Sequence, residues 1–110
     1  MGDRGNVLLK YKKGKTIYLY THWSGSNLIG TVKNALIRGE DRWNDDQYLA
    51  RIIFCEMIKD DVLDTTGYGI SPTIGDGDVK VTIDVNKMTA NGKSFKDFIK
   101  ENKWNVNTLK

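Results

Sequence analysis

The chain is poor in the residues that staple, break or catalyse: it has one cysteine, one proline and one histidine in 110 residues. A single thiol, Cys55, closes no internal disulfide. It sits in the apolar run Ile52-Ile53-Phe54-Cys55, where a buried, inert side chain is expected over a reactive one. One histidine and one cysteine, far apart, make no zinc pattern, and no metal is expected. Gly75-Asp76-Gly77-Asp78 has part of a calcium loop but lacks the downstream ligands, so it reads as a turn. Long hydrophobic runs are also missing, and nothing approaches the roughly 20 apolar residues of a membrane-spanning helix. The opening Met-Gly-Asp-Arg-Gly-Asn has no apolar signal region, and Asn6 stands where acylation wants a hydroxyl residue. A cytoplasmic protein without membrane contact is the expectation. The nucleophile-elbow, zinc-protease and Gly-rich phosphate-loop patterns are absent as well, which leaves catalysis thinly supported.

What is present describes a soluble globular domain, with 39% hydrophobic and 28% charged residues. One domain over residues 1–104 is expected, with residues 105–110 as a flexible tail. The net charge of +3 is a mild bias that suits an anionic ligand and falls short of a specific DNA-binding footprint. Lys10, Lys12, Lys13 and Lys15 crowd the first turn; Lys93, Lys96, Lys100, Lys103 and Lys110 crowd the C-terminal region; Glu40 to Asp64 is acidic.

Apolar spacing predicts two strands, two helices, two strands and one helix. Asn6 to Tyr11 and Thr16 to Trp23 read as strands; in the second, Ile17, Leu19 and Thr21 alternate with Tyr18, Tyr20 and His22. Gly14 serves the hairpin turn between them by taking positive φ. Ser26 or Asn27 is placed to cap a helix carrying Leu28, Ile29, Val32, Leu36 and Ile37, which Gly39 stops. Asp45 or Asp46 caps a second helix to about Lys59, with Tyr48, Leu49, Ile52, Ile53 and Met57 as its apolar stripe. Arg51 lies in that helix; if buried it needs a partner, for which Asp84 or Glu56 would serve. Gly67 to Ser71 reads as a short edge strand before Pro72, and Val79 to Val85 as a clean alternating strand. Asn91-Gly92 marks a turn, and Ser94 caps a last helix that turns Phe95, Phe98 and Ile99 inward. The fold class is α+β: a small antiparallel sheet with helices packed on one face.

Three stretches offer binding chemistry. Thr21-His22-Trp23-Ser24-Gly25-Ser26 ends an aromatic strand and enters a helix, where unpaired N–H groups and the helix dipole attract phosphate or carboxylate. The plain alternative is a Ser26 cap with Trp23 at the core rim. Thr65-Thr66-Gly67-Tyr68-Gly69-Ile70-Ser71 combines hydroxyls, glycines and a ring for close backbone approach to a ligand; the alternative is a glycine-kinked edge strand. Arg4 and Asn6 precede and open the first strand, and Arg4 would fork onto a phosphate or lie solvated. Arg42-Trp43 reads as cover for the start of the second helix.

Gly5 to Leu9, Ile17 to Ser26, Asp41 to Trp43, Tyr48 to Ile58 and Thr65 to Ser71 together resemble a family of small bacterial and phage proteins. Its shared features are a Tyr-Leu-Tyr-Thr-His-Trp strand and a Thr-Gly-Tyr/Phe-Gly-Ile segment. The resemblance covers roughly Asn6 to Val85 and leaves out the Lys-rich C-terminal helix. In kind the chain is also similar to phage immune-evasion sponges, among them anti-CBASS proteins that sequester cyclic dinucleotides. That resemblance implies a cofactor-free homo-oligomer in the bacterial cytosol that binds a nucleotide-like anion without chemistry. Trp23 or Tyr68 would then stack a base; Arg4, His22 and the backbone of Ser24 to Ser26 would meet phosphate; Thr65, Thr66 and Ser71 would read base edges. Two other readings stand beside it. One is a protein-interaction module. The other is a small hydrolase or nuclease with His22 as base, oriented by Asp64 or Asp84.

Overall fold

The structure is a computed structural model that describes residues 2–101. The expected tail, 105–110, and the last residues of the expected domain lie outside the described residues. β1 (Gly5–Lys10) and β2 (Thr16–Thr21) form the hairpin, closed where Gly14 takes φ of +79°. A 3-10 turn (Gly25–Asn27) leads into α1 (Leu28–Arg38), and a second (Glu40–Arg42) into α2 (Asp46–Ile58). β3 (Tyr68–Ser71) and β4 (Asp78–Asp84) follow. Then come the two-residue strands β5 (Thr89–Ala90) and β6 (Lys93–Ser94), and α3 (Phe95–Lys100). The order follows the expected two strands, two helices, two strands and one helix, with two short strands, β5 and β6, added before α3. Asn91-Gly92, at φ of 51° and 82°, joins β5 to β6, as an Asn-Gly pair does in a tight hairpin.

The sheet departs from expectation in size and direction. It has six strands in the order β3-β2-β1-β4-β5-β6, and it is mixed, because β1 and β4 run parallel at its centre. The cause is the link after β3. That strand ends level with Tyr18, while β4 starts level with Gly5, three strand positions from β3. Residues 72–77 must therefore travel back along the sheet and across β2 and β1. Three strand spacings are roughly 14 Å, and six extended residues reach about 20 Å, so the crossing is short of slack. The link lies against Tyr20 and Asn6, on the face away from the core. Asn6 is fully buried and holds it: the side-chain oxygen accepts from Gly75 N at 3.0 Å, and the amide donates to the carbonyls of Gly75, Asp76 and Gly77 at 3.2–3.3 Å.

The other face carries the core. Val7, Leu9, Leu19, Val81 and Ile83 from the sheet meet Leu28, Val32, Leu36, Leu49, Ile53, Phe95 and Phe98 from the helices. α1 packs on β1 and β4, with α2 and α3 against it. Four local expectations need correction. Tyr48 is about half exposed, because the inward stripe of α2 is Leu49, Ala50 and Ile53; its ring instead lies under the Arg42 guanidinium at 4.7 Å. Arg51 is exposed and needs no buried partner, while Glu56 pairs with Arg38 at 2.6 Å and Lys59 at 3.1 Å. Cys55 is half-buried at the helix surface rather than enclosed. Neither Ser26 nor Asn27 caps α1 with its side chain, for the reason given next.

Candidate functional site

The two glycine-bearing stretches meet at one end of the sheet. β2 stops at Thr21, whose buried hydroxyl oxygen accepts from Trp23 N at 3.4 Å and Ser24 N at 3.2 Å and so turns the chain out of the strand. One step beyond the paired residues, His22 N donates to Gly67 O at 2.8 Å, which brings the segment before β3 alongside. Trp23 then folds over Gly67, half exposed. Four rings line up edge to face around this corner: Tyr20 to His22 at 6.3 Å, His22 to Trp23 at 5.9 Å, and Trp23 to Tyr68 at 6.2 Å between centroids. His22 is further fixed by a 2.8 Å hydrogen bond between its Nδ1 and the Tyr20 hydroxyl. Gly2 packs against its backbone oxygen and Nε2.

The expected anion seat at the start of α1 is filled by the chain itself. Asp3 accepts from Ser26 N at 3.0 and 3.1 Å and from the Ser26 hydroxyl, and its backbone oxygen accepts from Gly25 N at 2.6 Å. Those hydrogen bonds, the hydroxyl's first, hold the Asp3 carboxyl below the usual range. Gly25 is required here: a Cβ would stand 2.5 Å from the Arg4 carbonyl oxygen.

Between the start of α1, the end of α2 and Tyr68 lies a cleft of about 210 Å³. Thr21, Ser24, Asn27 and Thr31 line one side; Glu56, Lys59, Asp60 and Asp61 line the other. The Tyr68 hydroxyl donates to Asp61 Oδ2 at 3.0 Å. Burial first, then that carboxylate, push its pKa up, while a hydrogen bond with Ser24 works in the opposite direction. Trp23 does not line this cleft, and its side chain is half exposed.

The expected site residues thus divide. Thr21, His22, Trp23, Ser24, Gly25, Ser26, Gly67 and Tyr68 come together at this end of the sheet. Thr65 and Thr66 are exposed on the approach to β3. Arg4 lies at the same end, exposed, 3.9 Å from Asp76. Asn6 is committed to the crossing link. Ser71 is remote from the corner, level with Tyr18, and its hydroxyl accepts from Thr73 N at 3.0 Å. Sequence reasoning missed Asn27, Thr31, Lys59, Asp60 and Asp61. Only the placement of the α2 terminus beside the α1 start makes them neighbours, and no local pattern signals it. Among the described residues no cluster of ligating side chains suits a metal ion, and no helix is long and apolar enough to cross a membrane.

No protein-family model, no curated protein and no solved structure matches this chain.

Proposed function

We propose that the protein binds, without chemistry, a nucleotide-like anionic ligand, with cyclic mono- and dinucleotide signals as the class to test first. The observation that carries this reading is the half-exposed Trp23 ring, packed against Gly67, His22 and Tyr68. A base stacked there gains on the order of 1–3 kcal/mol. The cleft beside Tyr68, at about 210 Å³, is smaller than the roughly 300–1,000 Å³ of drug-sized sites. It suits one ring rather than a whole dinucleotide. The carboxylates of Asp60 and Asp61 and the hydroxyls of Ser24 and Thr31 suit a ring edge rich in N–H donors. Phosphate falls to Arg4 and His22, at the same end of the sheet, because Asp3 already fills the seat before α1. A phage sponge of the anti-CBASS kind would work in this way.

The test is a melting panel of cyclic mono- and dinucleotides. A binder at a hundredfold over its Kd raises stability by about 2.7 kcal/mol. Trp23→Ala and Arg4→Ala should each lose that gain while keeping the fold, and the ligand should return chemically intact after heating. A flat response across the panel, or two variants that bind like wild type, overturns the reading. One observation favours a second reading, a protein-interaction module: Val62, Leu63 and Ile70 are 63%, 90% and 54% exposed.

A further inference from the structure

We infer that β3 is a self-pairing edge, and that a second copy of this chain docks on it antiparallel about a two-fold axis at Gly69. The hydrogen-bond pattern carries the inference. Gly67 is bonded to His22, so Gly67, Gly69 and Ser71 turn their N–H and C=O toward β2. Tyr68 and Ile70, in the alternate positions, turn theirs outward, and no strand lies beyond β3 among the described residues. The partner these groups fit is their own image. With Gly69 opposite Gly69, Tyr68 of each copy exchanges both backbone hydrogen bonds with Ile70 of the other, four bonds in all by this symmetry. The even register keeps the helices of both copies on the same side of a continuous sheet.

The side chains agree. Tyr68 and Ile70 share the helix side, so each ring would face the other copy's Ile70, a favourable aromatic and β-branched pair. Glycine at the axis leaves the opposite side clear. The edge carries no charge and no proline between Tyr68 and Ser71, whereas the far edge, β6, is only two residues long and carries Lys93. Short length and an edge lysine are ordinary guards against sheet-to-sheet pairing, and β3 has no such charge. Ile70, 54% exposed, is the apolar residue of this edge that a second copy would cover. A four-residue strand places the contact at the low end of interfaces, below about 1,200 Å². The dimer is accordingly weak and concentration-dependent. It also places Ile70 of the second copy against Tyr68, a wall of the cleft. The inference does not depend on the ligand reading.

Crosslinking tests it. In a Cys55→Ser background, Gly69→Cys has room, since an added Cβ meets nothing closer than Tyr20 Cβ at 3.9 Å. Facing residues of a non-hydrogen-bonded pair lie about 4.5 Å apart at Cα, within disulfide range. With an added oxidant the variant should run on a non-reducing gel at twice the 12.5 kDa of one chain, and Lys93→Cys in the same background should stay monomeric. Ile70→Pro removes one outward N–H and none directed at β2, so it should shift wild-type sedimentation to the monomer with far-UV dichroism unchanged. Ile70→Lys should do the same through charge. Absence of the Gly69→Cys dimer, equal crosslinking through Lys93→Cys, or a wild-type dimer that survives both Ile70 variants overturns the inference.

Discussion

Gly67 and Trp23 are fitted to each other: a Cβ on Gly67 would stand 2.1 Å from Cζ3 of the indole, and the backbone there has φ of +97°. Alanine at this position meets two penalties. The left-handed backbone costs about 1–2 kcal/mol and the overlap about 1–3 kcal/mol. Gly67→Ala should lower unfolding stability in denaturant by about 2–5 kcal/mol. The overlap part should vanish when Trp23 is also Ala, leaving only the backbone part. A double-mutant cycle reads this directly, and additive losses would show that the indole does not rest on Gly67.

The Asp3 contact makes an acid-side prediction. The carboxyl is held low in the folded protein by Ser26, and its ordinary value is 3.8. The native state therefore binds fewer protons than the unfolded chain across that interval. The stability Asp3 supplies is present above the ordinary value and is lost as pH falls through the folded value. Melting temperatures of wild type and Asp3→Asn, followed from neutral pH down to acid, should differ at neutral pH, with wild type higher, and converge at low pH. A constant difference would show that the carboxylate charge is not what caps α1.

How much of this was legible in the sequence follows from the range of each interaction. Gly14, Asp45, Asn91-Gly92 and Ser94 act within a few residues, and each does what its type suggests; Asp45 accepts from Tyr48 N and Ser94 from Asp97 N. The meeting of Trp23 with Tyr68 was also foreseeable, since an aromatic strand end and a glycine-flanked tyrosine suit adjacent strands. The α1 cap was not. Ser26 is a sound cap in isolation, yet its own N–H and hydroxyl are taken by Asp3 from 23 residues away. The parallel pairing of β1 with β4 was hidden too, because the link of residues 72–77 gives turn signals without saying which strand it crosses. Tyr48 was misplaced by a helical stripe drawn one residue too wide.

Asn6 is the one polar signal that marks the crossing. An isolated asparagine opens an apolar strand, it is fully buried, and a single amide serves three successive carbonyls and one N–H. Asn6→Ala should cost about 2 kcal/mol by leaving link groups without their partner. Asn6→Asp should cost more, since a carboxylate accepts only and would face three carbonyl oxygens. Limited proteolysis should cut both variants first within residues 72–77. Wild-type stability in Asn6→Asp would mean that the link is held by other contacts.

Lys33 supplies the alkaline counterpart. It is 2% exposed on α1, its ammonium donates to the Glu101 carbonyl, and it lies 5.3 Å from the centre of the Phe98 ring. Burial lowers its pKa from the ordinary 10.5, Glu101 opposes the shift, and Lys93 adds to it. Below the ordinary value the unfolded chain then holds more protons than the native state, so this group makes stability rise with pH through that window. Lys33→Met fills similar volume without a titrating group. Between mildly alkaline pH and the ordinary lysine value, wild type should gain on the variant. Denaturant unfolding of both proteins across that range measures the difference, in which the tyrosines cancel. A difference that stays flat, or moves toward the variant, would show that Lys33 carries its proton as easily in the fold as in the unfolded chain.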